Sequence, residues 1–332
     1  MEPSNVVHFT RQRLPDFSDT TFEVRPIERG GSDRKFYRMT APDGASLIVI
    51  RYTEQAKENL RYVELAIFLA ECGVRVPRIL YHDPEEQLIW MQDLGERDLW
   101  SYREEPWEDR SPLYRSALRE AFWMHSEVTA RHAAERLQLE LEFSEPLYLW
   151  EQSYFFEQCV TKYLGLPTEK AERWSKLPRL AKMAQNLASL PRTLVHRDFQ
   201  SQNILIFNET AYLIDFQGMR PGLPHYDVAS LLYDPYVALA ADERSELLTY
   251  YKGMSGEPDD FDEVFYQCAL QRLMQALGAY GFLGIEQGKT AFLSHIPTAW
   301  NSLREVASRI DGLDDFVHLL EDHPPEPGSG EC

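Results

Sequence analysis

Three polar residues near the middle of the chain have types and spacing suited to moving a phosphoryl group. Asp198 closes the run His196-Arg197-Asp198, Asn203 follows five positions later, and Asp215 ends the apolar run Leu213-Ile214. Transfer from a nucleotide needs a carboxylate to orient the attacking hydroxyl, and an amide with a second carboxylate to hold magnesium. The stretch 194–216, LVHRDFQSQNILIFNETAYLIDF, offers all three in that order. Its local logic is a hairpin, with short apolar strands at 204–207 and 212–214 around a polar turn at 208–210. The returning chain brings Asn203 near Asp215, so both can reach one metal ion. Singly, such residues are more often caps or turn formers. Their ordered placement around two apolar strands makes the site reading the stronger one.

Elements on both sides must position this stretch. Upstream, apolar segments at 22–24, 35–39 and 46–50 are punctuated by Gly30-Gly31 and Pro42-Asp43-Gly44 and read as an antiparallel meander. The first turn, with Gly30, Gly31 and Ser32, either lays backbone N–H groups over phosphates or is an ordinary hairpin turn. Arg51 ends the third strand, where it either binds phosphate or simply closes an edge. A helix over 54–72 shows an apolar stripe at Leu60, Val63, Ile67 and Ala70, with Ala66 and Leu69 beside it. Glu64 on that helix, or alternatively Glu58, could pair with Arg51; a solvated acid is the plain alternative. A strand over 87–91 runs into Gln92-Asp-Leu-Gly95, a hinge. Met91, Asp93 and Leu94 are there by position candidates for contact with a nucleotide base. Residues 1–21 are polar without a clear period.

From about residue 96 the chain reads as mainly helical. His125, within 114–136, reads as a packed core histidine. The segment 145–166 carries Trp150, Tyr154, Phe155 and Phe156 at helical spacing. Such a stripe is usually core, but it could also wall a sugar site, with Glu151 and Glu157 as the acids to accept hydroxyl bonds. Asp227 opens an apolar helical run, as an N-cap or as a support for the loop around Asp198. The last ten residues, HPPEPGSGEC, read as a disordered tail.

The 332 residues are 44% hydrophobic, enough for a substantial core and two lobes. With 34 Lys plus Arg against 53 Asp plus Glu, the net charge of −19 argues against nucleic acid and anionic membranes as partners. Cys72, Cys159, Cys268 and Cys332 show no CxxC or metal-ligand spacing, which points to a reducing compartment. Neither an apolar signal region nor a membrane-length apolar stretch is visible, so the cytoplasm is the simplest location.

HRDFQSQNIL, then LIDFQ and HYDVASLLYDPYV, resembles the aminoglycoside phosphotransferase and choline kinase-like family over roughly 22–310. Within it the chain is most similar to bacterial sugar kinases that phosphorylate N-acetylmuramic acid and N-acetylglucosamine at the anomeric hydroxyl, in cell-wall sugar salvage. The resemblance implies an α+β, bilobal, protein-kinase-like fold. A small N-lobe of antiparallel sheet plus helix (1–94) would bind the nucleotide. A larger, mainly helical C-lobe (95–322) would carry catalysis and substrate, ahead of the tail at 323–332. It implies ATP and Mg²⁺, with Asp198 as catalytic base beside Arg197, and Asn203 and Asp215 as metal ligands. His196 and Asp227 would support the loop, and Gln217 and Arg272 join Glu151 and Glu157 as candidate substrate contacts. The chain departs from the antibiotic kinases in lacking the third-strand lysine.

The expectation is therefore a monomeric ATP-dependent kinase acting on a small molecule, most simply an amino sugar. Two rivals stand beside it. One is a kinase for a cationic aminoglycoside or amino alcohol, favoured by the net charge. The other is a nucleotide-binding pseudokinase scaffold, favoured by Arg51 in place of lysine and the poor glycine loop. A protein kinase is disfavoured because only eleven residues separate Asp215 from Asp227, too few for an activation loop.

Overall fold

The computed structural model describes residues 3–27, 34–53, 57–135, 137–256 and 260–325. Gly30, Gly31, Ser32, the side chains of Glu58 and Leu60, and the final residues 326–332 lie outside that description. Five strands, β1 (Glu23–Ile27), β2 (Lys35–Thr40), β3 (Ser46–Arg51), β4 (Ile79–Asp83) and β5 (Leu88–Gln92), form one antiparallel sheet in the order β1-β2-β3-β5-β4. The sheet is covered on both faces. Helix α1 (Pro3–Arg13) lies on the outer one, where Val6 packs with Tyr37, Met39, Leu47, Val49, Leu88 and Trp90. Thr10 there accepts from Trp90 Nε1 at 2.7 Å and passes its own proton to the Val6 carbonyl at 2.8 Å. A buried indole thus keeps its hydrogen bond. This helix escapes a reading of the sequence because its buried stripe is partly polar.

The other face belongs to the main core and the cleft. Ile48, Ile50, Ile89 and Met91 join it, with α2 (Lys57–Glu71) alongside. Tyr62, Leu65, Ala66 and Leu69, spaced i, i+3, i+4 and i+7, form the buried stripe of α2, with Asn59 and Phe68 buried beside it. Of the expected stripe, Val63 packs partly buried on the core and Ala66 and Leu69 beside it are buried, but Ile67 is 46% exposed and Ala70 is exposed, so its centre is out of phase. An amphipathic tyrosine, not counted as apolar, sets the true phase.

The helical part comprises α3 (Trp107–Trp123), α4 (Thr129–Glu135), α5 (Glu145–Phe155), α6 (Thr168–Ser175), α7 (Pro178–Ser189), α8 (Pro224–Leu232), α9 (Ala241–Ser255), α10 (Phe261–Gly281), α11 (Ile296–Ala307) and α12 (Asp314–Asp322). Helix α10 is its axis, packing on α5, α8 and α11, with most of its residues buried. Two short strand pairs carry the chemistry-bearing stretch. They are β6 (Thr193–Val195) with β9 (Arg220–Gly222), and β7 (Ile204–Phe207) with β8 (Thr210–Leu213). The β6–β9 pair ties the entry to Asp198 to the segment beyond Asp215. Gly222 allows it, since a Cβ there would stand 2.7 Å from Val195 Cγ2 and 2.8 Å from the Phe143 ring. No helix among the described residues is long and apolar enough to cross a membrane.

Candidate active site

A cleft of about 1050 Å³ opens between the inner face of the sheet and the β7–β8 hairpin. Ile48, Met91 and Leu94 line it from the sheet side, and Leu205 and Ile214 from the hairpin. Apolar residues facing each other across such a gap suit a flat heterocycle. Met91, Asp93 and Leu94 all border it. Asp93 is fixed rather than free. Burial opposes its charge, but the Arg38 guanidinium at 2.7 Å and the Gly95 amide hold its carboxyl below the ordinary range.

The polar end is built by the hairpin. The Asn203 carbonyl accepts from the Ile214 amide at 3.0 Å, closing the strands so that Asn203 and Asp215 both border the cleft. Asn203 Nδ2 donates to the Asp198 carbonyl at 2.9 Å, which turns its amide oxygen away from the loop. Asp215 adopts φ 63° and Arg197 φ 77°, left-handed conformations that a non-glycine residue keeps only when its surroundings hold it there. Asp215 Oδ1 accepts from Arg34 at 2.8 Å and Gln217 Nε2 at 2.7 Å. These hard oxygen donors fit Mg²⁺, whose remaining positions phosphate oxygens and water would fill. The guanidinium of Arg34 already balances Asp215 as a cation would. No cluster of three His, Cys, Asp or Glu side chains suited to a metal occurs among the described residues.

Asp198 is partly exposed. Burial works against its charge, yet Arg197, Arg272, His196 and Arg220 outweigh it and hold the carboxyl below its ordinary value. Its loop hangs on buried carboxylates. Asp227, fully buried, accepts from the His196 amide at 2.6 Å, the Arg197 amide at 2.8 Å and His125 Nε2 at 3.0 Å. His125 in turn meets the Tyr251 hydroxyl at 2.6 Å. Hence His125 is more than core filling, and Asp227 sits inside the first turn of α8 rather than capping it, the cap position being Leu223. His196 bonds the Ile214 carbonyl at 2.9 Å. Asp234, which the sequence did not single out, accepts from Ser201 through its amide at 2.8 Å and its hydroxyl at 2.6 Å.

Several expected residues stand elsewhere. Arg51 lies on the outer face of the sheet. It pairs with exposed Lys35 and with Leu88 of the outer core, while Ile48 and Ile50 face inward. Alternation along a strand settles this, because adjacent residues point to opposite faces. Glu64 is exposed and does not border the cleft. The inward residue of that helix turn is Tyr62, stacked on Phe216 at 5.0 Å. Glu151 is buried and cannot reach an open sugar; its oxygens accept from Tyr226 at 3.2 Å and Gln271 at 2.9 Å. Burial raises its carboxyl to about 7 against those bonds and the nearby arginines. Glu157 is an exposed partner of Lys162 at 2.9 Å. Gln217 is nearly buried and holds Asp215, and Arg272 is buried against Ser230, Gln275 and Gln200. The aromatic stripe divides: Phe155 and Phe156 are core, whereas Trp150 is 52% exposed and stacks flat on Tyr154 at 5.0 Å. Arg34, Tyr62 and Arg220 were not anticipated; the alternation Arg34, Phe36, Arg38 leading into β2 is the signal that could have found the first.

The profile of the phosphotransferase enzyme family matches residues 23–263. The chain belongs to that family. It is an ATP-dependent kinase with a protein-kinase-like fold. Its relatives include the N-acetylmuramate/N-acetylglucosamine kinase of Pseudomonas aeruginosa, 25% identical over 91% of this chain and 89% of the relative. The protein of that name from Neisseria meningitidis is 26% identical over 92% and 91%. Among solved structures, an ADP-bound aminoglycoside phosphotransferase, APH(2'')-Ib, superposes with TM-score 0.59 at 15% identity, covering 91% of this chain and 99% of its own. The choline kinase of Cryptosporidium parvum gives 0.63 at 11% identity, covering 96% and 100%.

Proposed function

We propose that this family member transfers the γ-phosphoryl group of ATP to a hydroxyl of an amino sugar, N-acetylmuramic acid or N-acetylglucosamine, at the anomeric position. The observation that carries the choice of acceptor is the charge around Asp198. Arg197, Arg220 and Arg272 all act on that carboxylate. Among the neighbouring acids, Glu140 is bonded to Arg61 and shares its charge with Arg197 and Arg220, and burial pushes Glu151 and Asp234 towards their neutral forms. Such an end favours an acceptor that is neutral or carries a carboxylate, as N-acetylmuramate does, and disfavours a polycationic antibiotic. The chain-wide charge of −19 pointed the other way, but local charge decides recognition. The names of the relatives support the same reading.

In this reading Asp198, kept ionised by its arginines, orients the sugar hydroxyl and takes its proton as the O–P bond forms and ADP leaves. Asn203 and Asp215 would hold Mg²⁺, which supplies charge neutralisation on the phosphates. Arg197 and Arg220 orient the acceptor, Arg272 adds its charge from a buried position, and the exposed Trp150, stacked on Tyr154, offers a flat wall for a sugar face. Residues 1–94 serve the nucleotide and 95–322 the acceptor, in a cytoplasmic monomer of cell-wall sugar salvage.

The test is ADP release with magnesium against N-acetylmuramic acid, N-acetylglucosamine, other hexoses, choline and kanamycin. Turnover with an N-acetyl sugar is expected, falling by roughly 10²–10⁴-fold in Asp198→Ala. Turnover with kanamycin or choline alone would reject the acceptor, and an unimpaired Asp198→Ala would reject the mechanism.

A further inference from the structure

The inner face of β3 carries Ile48 and Ile50, and Arg51 points away, so that strand offers no cation to nucleotide phosphates. A tri- or diphosphate nevertheless brings several negative charges into the cleft. Among the described residues three arginines border it: Arg25, Arg34 and Arg38. Arg38 is committed to the hinge. Its Nε and Nη2 donate to Asp93 at 2.7 and 3.0 Å, Nη2 also reaches the Gly95 carbonyl at 3.0 Å, and Nη1 bonds Glu96. Arg25 bonds the same Glu96. Both therefore stand at the Asp93–Glu96 side of the cleft, away from Asp215.

Arg34 is differently placed. It precedes β2 on the inward parity of Phe36 and Arg38, and its side chain is 8% exposed. Its guanidinium lies 5.7 Å from the centroids of both Phe36 and Tyr62, and Tyr62 in turn stacks on Phe216 of the Asp215 turn. Two rings thus restrict the fork before any ligand arrives, and aromatic faces favour a cation. Its bond to Asp215 Oδ1 at 2.8 Å puts it at the carboxylate where phosphate oxygens and a metal would meet.

We propose that Arg34, at the start of the second strand, grips the nucleotide phosphates in place of a third-strand lysine, exchanging its contact with Asp215 for phosphate oxygens. A planar fork offers two parallel bonds to phosphate. This rests on reading the cleft as the nucleotide site, and the experiment separates the two claims. Adenosine, AMP and ADP are titrated calorimetrically into the wild-type chain, Arg34→Ala, Arg34→Gln and Arg51→Ala, each checked for folding by its thermal transition. The glutamine variant keeps a stem between the rings and serves if the alanine variant does not fold.

Loss of one charge-assisted phosphate contact weakens ADP by about 10- to 100-fold, with adenosine changed by less than about twofold. Arg51→Ala leaves both ligands as in the wild type. Wild-type ADP affinity retained in the Arg34 variants overturns the assignment, as does an equal loss for adenosine and ADP. A wild-type chain that binds none of the three ligands overturns the nucleotide cleft and this inference with it.

Discussion

The two walls of the cleft are held by different kinds of contact. On the helical side, Asp227 and Asp234 are buried carboxylates that accept from backbone amides of the loop they support. On the sheet side, Arg34 and Arg38 bond carboxylate side chains of other elements, Asp215 and Asp93. A carboxylate satisfied by main-chain donors fixes backbone position and leaves nothing to exchange. An arginine held by a side-chain carboxylate, as Arg34 is by Asp215, can trade that partner for a phosphate, whereas Arg38, tied to Asp93, Glu96 and the Gly95 carbonyl, stays with the hinge. One wall is suited to keeping Asp198 in place, and the other to receiving a charged ligand.

Removing a support from the rigid wall should have the largest effect on the fold. Asp227→Ala would leave the buried amides of His196 and Arg197, and His125, without their acceptor. Each unsatisfied group costs on the order of 1–3 kcal/mol, so the three together predict a loss of at least about 3 kcal/mol, along with most turnover. Denaturant unfolding and single-turnover assays measure the two losses. If stability is kept while turnover vanishes, Asp227 acts on chemistry directly and the contrast between the walls fails.

The same contrast explains what could be read in the residues. Asp198, Asn203 and Asp215 are close in sequence and joined by a hairpin, so chain spacing translates directly into spatial spacing. Their supports are not. Asp227 acts on amides 30 and 31 positions earlier, and Arg34 reaches Asp215 across 181 positions. Arg51 misses the cleft because one residue along a strand reverses the face, and Glu64 because each residue along a helix turns the direction by about 100°. The first three strands of the sheet, and the turn at Gly44, followed from apolar runs and turn residues. Helix α1 did not, because a threonine–tryptophan hydrogen bond occupies part of its buried stripe.

Glu151, on the same side of the cleft, is held by the side chains of Tyr226 and Gln271, where Asp227 and Asp234 are held by main-chain amides. It should therefore be the weak point of that wall. Its carboxyl rises from 4.5 to about 7 in the folded chain. Between those values the native state keeps a proton that the unfolded chain has released, so stability falls as pH rises through this window. The full effect is roughly 3 kcal/mol at 1.36 kcal/mol per pH unit. Glu151→Gln should resemble the wild type near pH 5 and be the more stable of the two at pH 8. A difference in unfolding free energy that does not change with pH would assign the titration to another group.

The smallest effect is expected at Glu64, and its smallness is informative. A helix glutamate paired with a strand cation would link α2 to the nucleotide, and losing it would weaken ATP binding. Here Glu64 is exposed and away from the cleft, while Tyr62 links α2 to both Arg34 and Phe216. Glu64→Ala should change unfolding free energy by no more than about 0.5 kcal/mol, as surface substitutions do, and leave the KM for ATP unaltered. A KM raised severalfold by that change would mean that the sheet wall is organised by an ion pair after all. The stacked ring between Arg34 and the Asp215 turn would then be packing alone, and the distinction between a fixed wall and an exchangeable one would have to be redrawn.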